Sequence, residues 1–497
     1  MKAKVFMIQG SSSSAGKSLL VTALCRIYAR RGIKVAPFKA QNMSNNAAVC
    51  ADGSEIGRAQ ALQAAASGIA PSVDMNPVLI KPEADARSQI ILMGRPWQTL
   101  EAKTYYEKKE LLWKHVTQSL DRLRQAHELV IIEGAGSPAE LNLKRGDIVN
   151  MAVARYAGSP VLLVGDIDRG GIFAQLLGTL WLLDREEREL LRGFVVNKFR
   201  GDLSLFEDGI QIIEQKSRIP VLGVIPYLRG LSLPDEDAVS VEVASRAAQP
   251  ASASQTDIAV LALPRIANFD DFDPLRAEPG VHIRHVDSAS QLGEPHAIII
   301  PGTKSTIADL EWLRQTGLAQ AVIKFAQNGG VVVGICGGYQ MLGQAIHDPF
   351  HVESKNDSID GLGLLPVTTT FANKKAAYQV QATILNFESL CGEMIQGYEI
   401  HMGETKGQTP WLEITSRNGE QVKVLDGSVS SDGKVRGCYL HGLFHNDALR
   451  HAWLKSLGWQ DKATSQSARF HESLEKLADA VESALDMKLL DNIIWDK

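Results

Sequence analysis

The sequence predicts an α/β protein with two doubly wound units, each built on a parallel sheet with helices on both faces. Short continuous apolar runs recur along the chain, separated by stretches with helical spacing. Continuous rather than alternating apolar runs are typical of parallel strands that are covered on both faces. The pattern stops at one segment of small residues and then restarts. Because 497 residues exceed the ~100–200 residues of a typical domain, more than one unit is expected.

The first unit is predicted to span residues 1–235. A helix is expected from Lys17 to Arg31, directly after the first strand. The strands predicted for this unit are apolar runs rich in β-branched residues, at residues 5–9, 34–38, 129–132, 161–164, 194–196 and 221–224.

A linker is predicted at residues 236–256, and a second unit at residues 257–450. Residues 245–255 have no periodic apolar face and are rich in small side chains, which is typical of linkers. The strand pattern then restarts at residues 258–263, 297–300 and 331–335.

The last segment, residues 451–497, is predicted to be helical. Its apolar residues recur at helical spacing, at Leu474, Leu477, Ala478 and Val481.

Composition and charge exclude several classes of function. The 52 lysine and arginine residues against 57 aspartate and glutamate residues give a net charge of −5, which argues against nucleic-acid binding through bulk positive charge. No apolar run approaches the ~18 residues that span a bilayer, and the N-terminal apolar stretch is too short for a signal peptide. The five scattered cysteines indicate neither a disulfide framework nor a metal-binding pair. We expect a soluble cytoplasmic protein with a small-molecule substrate and no nucleic-acid or membrane partner, and the oligomeric state stays open.

A phosphate-binding loop is predicted at residues 10–18, which read Gly-Ser-Ser-Ser-Ser-Ala-Gly-Lys-Ser. The loop follows a strand and opens a helix, so that backbone N–H groups and the helix N-terminus converge on phosphate oxygens. Lys17 is expected to neutralise phosphate charge, and the Ser18 hydroxyl to bind Mg²⁺. Five residues rather than the usual four separate Gly10 from Gly16.

Further polar residues follow the strands of the first unit, where ligands of open α/β sheets bind. Glu133 is a candidate Mg²⁺ ligand beside the triphosphate, and Lys39 is a candidate phosphate contact. Asn197 is placed to read a base edge. The carboxylates and the arginine of residues 166–171 are candidates to contact phosphate, metal or substrate.

A nucleophilic thiol is predicted at Cys336, in the run Gly-Ile-Cys-Gly-Gly between a strand and a helix. This is the pattern of a nucleophile elbow, whose helix N-terminus favours the thiolate. The N–H of Gly337 is expected to face a developing oxyanion, and the loop at Gly302 offers a second donor. A thiolate nucleophile needs a histidine, for which His441 and His401 are both candidates on spacing alone.

The second unit resembles class I glutamine amidotransferase domains. In that resemblance Cys336 matches the nucleophile, His441 the base and Gly302 the oxyanion loop. The family often has a glutamate two residues after the histidine, where this chain has Leu443. That departure matches the cobyric-acid subgroup, which works with a Cys–His pair. The resemblance implies a flavodoxin-like α/β fold and glutamine as the ammonia donor.

The first unit resembles dethiobiotin-synthetase-like ATP-binding domains, which share the five-residue spacing between the loop glycines. The resemblance implies a P-loop NTPase-like fold that binds ATP and Mg²⁺. It assigns phosphate, metal and base contacts to Lys17, Ser18, Lys39, Glu133 and Asn197.

Longer stretches resemble the cobyric acid synthase family over most of the chain, at residues 38–46, 133–140, 166–171, 197–202, 233–237 and 397–403. The resemblance implies amidation of the b, d, e and g carboxylates of adenosylcobyrinic acid a,c-diamide, with ATP consumed and glutamine supplying ammonia. The candidate substrate contacts are Gln41, Asn42, Asp166, Asp168, Arg169 and Arg200.

Three alternatives remain open from the sequence. A cobyrinic acid a,c-diamide synthase would share both units and both chemistries. A regulatory P-loop ATPase would turn over ATP without glutamine, and a cysteine hydrolase or peptidase would not need ATP.

Overall fold

The computed structural model describes residues 2–84, 87–144, 146–234 and 255–496. The predicted linker, residues 236–256, lies almost entirely outside the described residues. The chain forms two compact units. The first comprises Met1–Met43, Ile56–Pro234 and Phe470–Lys497, and the second comprises Ser44–Glu55 and Asp235–Arg469.

Twelve strands and eight helices are described up to residue 234. The strands are β1 Lys4–Gly10, β2 Val35–Phe38, β3 Gln41–Met43, β4 Ala47–Val49, β5 Glu55–Gly57, β6 Val78–Ala84, β7 Arg87–Leu92, β8 Arg95–Glu101, β9 Leu129–Glu133, β10 Val161–Asp166, β11 Leu191–Phe199 and β12 Val221–Pro226. The helices are α1 Lys17–Arg30, α2 Arg58–Ala66, α3 Ala102–Glu107, α4 Lys109–Ala126, α5 Met151–Ala157, α6 Ile172–Leu182, α7 Arg185–Leu190 and α8 Glu207–Ser217.

The main sheet of the first unit has the order β12-β11-β10-β1-β9-β2, and all neighbouring strands are parallel. Alternate residues of β1 enter two different cores, with Val5 and Met7 on one face and Phe6 and Ile8 on the other. This double coverage explains why the strands read as continuous apolar runs. The sheet confirms the predicted fold class.

The strand register of this sheet brings its functional candidates to one edge. Ile8 of β1 is level with Glu133 at the end of β9, and Asp166 at the end of β10 is level with Asn197. Because parallel strands end at the same edge, side chains far apart in sequence converge beside the phosphate loop.

The described part of the chain from residue 255 onward adds twelve strands and eight helices. The strands are β13 Thr256–Leu261, β14 Val281–Val286, β15 Ala297–Ile300, β16 Val331–Ile335, β17 Ala345–His347, β18 Ser358–Asp360, β19 Thr368–Ile384, β20 Met394–Lys406, β21 Leu412–Arg417, β22 Glu420–Asp426, β23 Ser428–Val429 and β24 Val435–Cys438. The helices are α9 Asp273–Arg276, α10 Ala289–Leu292, α11 Thr306–Gln315, α12 Leu318–Gln327, α13 Gly337–Leu342, α14 Asp447–Ser456, α15 Gln466–Ala484 and α16 Met487–Trp495.

The main sheet of the second unit has the order β14-β13-β15-β16-β24-β23, parallel except for β23. Ile300, Ile335 and Cys438 end β15, β16 and β24, so the loops that carry the predicted oxyanion, nucleophile and histidine residues leave from one edge. A second sheet, with the order β18-β17-β19-β21-β22 and β20 beside β19, is largely antiparallel. The sequence pattern did not predict that sheet or the sheet β3-β6-β7-β8 of the first unit.

The C-terminal segment is helical, as its spacing predicted, but it is divided between the two units. Helix α14 lies in the second unit, whereas most of α15 and all of α16 belong to the first. The apolar residues of α15 pack in one core with Leu20, Leu24 and Ile27 of α1. Helical spacing indicates an apolar face but not the partner that covers it. Among the described residues, no helix is long and apolar enough to cross a membrane.

Candidate functional site

Cys336 lies at a sharp turn between β16 and α13. Its backbone has φ 51° and ψ −108°, a combination that non-glycine residues rarely adopt and that stores strain. The flanking glycines are sterically required. A Cβ at Gly338 would lie 2.0 Å from the Ile300 carbonyl oxygen, and one at Gly334 would lie 2.7 Å from the Gly338 carbonyl oxygen. The turn has the geometry of a nucleophile elbow.

The two predicted oxyanion-hole glycines lie beside this turn. Gly337 is the first residue of α13, so its N–H has no acceptor within the helix. A Cβ on Gly337 would lie 3.2 Å from the Thr303 backbone nitrogen, and one on Gly302 would lie 2.8 Å from Cε1 of His441. A side chain at either position would crowd these neighbours, so glycine suits both positions.

His441 is the histidine whose pKa the Cys336 thiol influences. Its Nε2 lies 3.3 Å from Nδ2 of Asn268, while Sγ of Cys336 lies 3.4 Å from the Ile400 carbonyl oxygen. Nδ1 of His441 lies 2.7 Å from Oδ2 of Asp271. The ring of Tyr398 stacks on the imidazole with the centroids 5.2 Å apart. His401 is held differently, since its Nδ1 contacts the Gly403 carbonyl oxygen at 2.8 Å.

Asp271 is a site residue that sequence reasoning missed. It lies in a 3₁₀ turn, Phe269–Phe272, between β13 and α9, and its side chain is fully buried. Its Oδ1 accepts a hydrogen bond from the Gly442 N–H at 2.8 Å, so both carboxylate oxygens hold the histidine segment. The position that carries a glutamate in many class I domains, Leu443, is packed in the core instead. The sequence shows only that Asp271 follows a predicted strand of the same sheet. No motif distinguishes it from other carboxylates.

The charge on His441 is set by its neighbours. Burial by itself lowers the pKa of His441, but the Asp271 carboxylate and the Cys336 thiol outweigh burial and raise this pKa to about 10. The imidazolium is therefore the favoured form near neutral pH, between a carboxylate and a thiol. This charge pattern suits a thiolate nucleophile paired with a general acid.

In the first unit the phosphate loop is closely packed against Asn197. Gly16 has φ 91°, and a Cβ there would lie 2.1 Å from Nδ2 of Asn197. A Cβ on Gly10 would lie 2.9 Å from Nζ of Lys17. Nζ of Lys17 donates to the Ser12 and Gly136 carbonyl oxygens at 3.1 and 3.2 Å, which holds the ammonium group within the loop.

Glu133 joins three donors beneath the loop. Its Oε1 accepts hydrogen bonds from the Ser18 hydroxyl and from Nζ of Lys39, each at 2.8 Å. Its Oε2 accepts a hydrogen bond from Nε2 of Gln63 at 2.6 Å. The structure thus brings Ser18, Lys39 and Glu133 together and adds Gln63, which the sequence did not single out. The hydroxyl and carboxylate oxygens fit Mg²⁺, which binds one or two carboxylates together with phosphates and waters.

Asn197 and Lys198 tie the loop to the neighbouring strands. Nδ2 of Asn197 donates to the Ala15 carbonyl oxygen at 2.9 Å. Nζ of Lys198 donates to the Ser14 carbonyl oxygen at 2.7 Å and to Oδ2 of Asp166 at 2.9 Å. Lys198 was not predicted as a site residue. It links the loop to Asp166 because the neighbouring strands β10 and β11 end side by side.

Four of the six predicted substrate contacts lie at or just after the ends of β10 and β11, namely Asp166, Asp168, Arg169 and Arg200. Asp166 is buried, and its carboxylate binds Lys198, so it supports the loop. Arg169 is 60% exposed and its Nε lies 3.6 Å from Oδ2 of Asp166. Arg200 pairs with Asp168 at 2.6 Å and stacks 3.5 Å over Tyr227.

The other two candidate substrate contacts, Gln41 and Asn42, lie on β3. Gln41 accepts a hydrogen bond from the Tyr105 hydroxyl, and Asn42 is buried against Gln60, to which its Nδ2 donates at 3.2 Å.

Two family models match the chain in the order of the two units. Residues 6–241 match the CobQ/CobB/MinD/ParA nucleotide binding domain. Residues 257–449 match the CobB/CobQ-like glutamine amidotransferase domain.

Curated relatives named cobyric acid synthase align with nearly the whole chain. The protein of Chloroflexus aurantiacus is 54% identical over 99% of this chain and 100% of its own length. The protein of Chloroflexus aggregans is 55% identical over 99% of each chain. The protein of Roseiflexus castenholzii is 56% identical over 92% of this chain and 93% of its own. With a phosphate-loop unit, a thiol–histidine unit and full-length identity of this size, the chain belongs to the cobyric acid synthase family.

Proposed function

We propose that this chain amidates the b, d, e and g carboxylates of adenosylcobyrinic acid a,c-diamide, with ATP consumed and ammonia taken from glutamine. Membership of its family makes it a glutamine-hydrolysing ligase of cobalamin biosynthesis. The observation that carries the proposal is the presence in one chain of two chemical centres, one at Cys336 and His441 and the other at the phosphate loop, where Ser18 donates to Glu133. We further propose that it acts in the cytoplasm.

In the amidotransferase unit, the Cys336 thiolate attacks the side-chain amide carbon of glutamine. The N–H groups of Gly337 and Gly302 stabilise the oxyanion that forms. His441 gives its proton to the departing ammonia, which leaves a glutamyl thioester on Cys336. The neutral imidazole then takes a proton from water, whose oxygen attacks the thioester and releases glutamate. Asp271 holds the ring through Nδ1 and stabilises its charged form.

In the nucleotide unit, ATP makes a corrinoid carboxylate reactive. A carboxylate is a poor electrophile, and transfer of the γ-phosphoryl group converts it into an acyl phosphate. Ammonia attacks the acyl carbon, and inorganic phosphate leaves. Lys17 offsets phosphate charge at the loop. Bound Mg²⁺, held through Ser18 and Glu133, would supply further charge neutralisation.

Contacts with the corrinoid are assigned to the arginines rather than to Asp166. The Asp166 carboxylate is committed to Lys198. Arg169 and Arg200 present guanidinium groups suited to substrate carboxylates. Asp168 is retained as the group that orients Arg200, with which it pairs at 2.6 Å, and Gln41 and Asn42 are retained as groups that bind the propionamides.

The test is to incubate the purified protein with glutamine, ATP and adenosylcobyrinic acid a,c-diamide. Mass spectrometry of the corrinoid counts amidations, while glutamate and ADP are quantified in parallel. The proposal expects tetra-amidation with one glutamate and one ADP per amide. In a parallel incubation with cobyrinic acid as the substrate, amidation at only the a and c carboxylates would favour the diamide synthase. ATP turnover that is independent of glutamine, with the corrinoid unchanged, would favour a regulatory ATPase.

Glu133→Gln is expected to raise the Mg²⁺ concentration for half-maximal ATPase activity by about 10–100-fold. The amide is neutral and a weak metal ligand, and it leaves the buried Lys39 ammonium without its counter-charge. Glutaminase activity should persist because the thiol site lies in the other unit. Glu128→Gln is the matched control, because Glu128 is exposed and directly precedes the same strand, where its carboxylate accepts a hydrogen bond from the Lys34 N–H. An unchanged Mg²⁺ requirement in Glu133→Gln would show that Glu133 is not a metal ligand.

A further inference from the structure

A cavity of about 140 Å³ lies beside the phosphate loop, within the first unit. It begins at Gly16, the residue that precedes Lys17, and Leu20 of α1 forms part of its wall. Asn197 lies at its polar edge. The opposite wall comes from the other end of the chain, since Leu477 and Val481 of α15 line the same space.

The position and chemistry of this cavity fit a nucleotide base. When the loop holds the triphosphate of a nucleotide, the base lies near the end of the loop. The cavity starts there, at Gly16. Apolar walls with a few polar groups at one edge are typical of pockets for flat heteroaromatic ligands. Nδ2 of Asn197 uses one of its two protons for the Ala15 carbonyl oxygen, which leaves hydrogen-bonding capacity for a base edge.

Ion pairs connect helix α15 to α1, the helix that follows the phosphate loop. Arg26 of α1 donates to Glu475 at 2.7 Å, and Arg30 pairs with Asp479 and Glu482 at 2.5 and 2.7 Å. Such exposed ion pairs contribute little stability individually, but together they determine the register of one helix along the other. That register is what places Val481 at the cavity.

The end of α15 is anchored to the sheet as well. The N–H of Asp486, two residues after α15 ends, donates to the Leu222 carbonyl oxygen of β12 at 2.7 Å. The strand β12 leads directly into Tyr227 and Leu228, which also line the cavity. Two walls of the cavity are therefore connected to each other through backbone hydrogen bonding.

We infer that helix α15 forms a wall of the nucleotide-base pocket, with Leu477 and Val481 as specificity-determining contacts to a purine base. The inference rests on the proposed use of ATP and deepens it. The segment that follows the amidotransferase sequence thereby completes the ATP site of the first unit. Its removal would affect nucleotide affinity and not only folding.

Val481→Phe tests this because the larger side chain occupies the cavity from the wall formed by α15, which lies opposite the loop residue Gly16. We expect the Kd for ATP, measured by titration calorimetry, to rise at least 10-fold. The Kd for inorganic tripolyphosphate, which has no base, should stay unchanged. Val481→Ala, which removes contacts without overpacking, should weaken ATP several-fold and leave tripolyphosphate unaffected. Leu474→Phe is the control, since Leu474 is buried on the same helix outside the cavity.

Equal ATP affinity in the wild type and both Val481 variants would overturn the inference while leaving the use of ATP intact. Parallel loss of ATP and tripolyphosphate binding would also overturn it, because the loop rather than the base pocket would then be affected. A wild-type protein that binds and hydrolyses no ATP would instead reject the proposed function itself.

Discussion

Cys336→Ala is expected to abolish glutamine-dependent synthesis while ammonium-dependent synthesis continues. Without the thiolate no thioester forms, so glutaminase activity should fall by at least about 10³-fold. Ammonium supplies free ammonia directly to the acyl phosphate, and that step uses only the nucleotide unit. Glutamate release and corrinoid amidation are measured with glutamine and, separately, with ammonium chloride.

Cys391→Ala is the control for this variant, because Cys391 is an exposed free cysteine outside the site. It should retain both activities. If ammonium failed to support synthesis by Cys336→Ala, the scheme of separate ammonia release and acyl-phosphate capture would be wrong.

Asp271→Asn is expected to lower the kcat of glutamine hydrolysis by about 10²–10⁴-fold. The amide has nearly the shape of the carboxylate and can still accept the Gly442 N–H bond. It cannot stabilise an imidazolium, and its NH₂ group favours the wrong tautomer of His441. Ammonium-dependent synthesis should be unchanged. Asp273→Asn removes the same charge two residues away, where the carboxylate contacts Arg276, and should have no such effect.

The pH dependence of glutamine hydrolysis distinguishes two roles for Asp271, positioning of His441 and support of the fold. In the proposed mechanism His441 is the acid, so activity is expected to fall as pH rises through the pKa of His441, which Asp271 and Cys336 raise to about 10 against the effect of burial. Removing the carboxylate lowers that pKa, so the basic limb of the profile should move to lower pH in Asp271→Asn. A lower kcat with an unmoved basic limb would contradict the assignment.

The raised pKa of His441 also predicts how the free energy of unfolding depends on pH. A histidine pKa raised on folding stabilises the fold fully below its unfolded value of about 6.5, and the contribution is lost as pH rises toward about 10. Denaturant unfolding at several pH values within this interval should show a smaller loss in Asp271→Asn than in the wild type.

The family, the two parallel-sheet units and the residues of the two motifs were predictable from the sequence, and the comparisons and the sheets confirm the family and the fold class. The phosphate loop and the thiol elbow are each a few consecutive residues whose geometry is set locally, by glycine conformations between a strand and a helix. The apolar runs show which segments are covered on both faces. These properties depend on nearest neighbours in sequence, so the sequence alone determined them.

Only the tertiary structure decided which distant residues complete the sites. Asp271 is 170 residues from His441, and Gln63 is 70 residues from Glu133. Helix α15 reaches the cavity beside Gly16 from the opposite end of the chain. The reason is topological, because parallel strands end at one edge whatever their order in sequence, and an amphipathic helix does not specify its partner. The sequence left His441 and His401 as alternatives, and the influence of Cys336 on the pKa of His441 supports the proposal that His441 is the base.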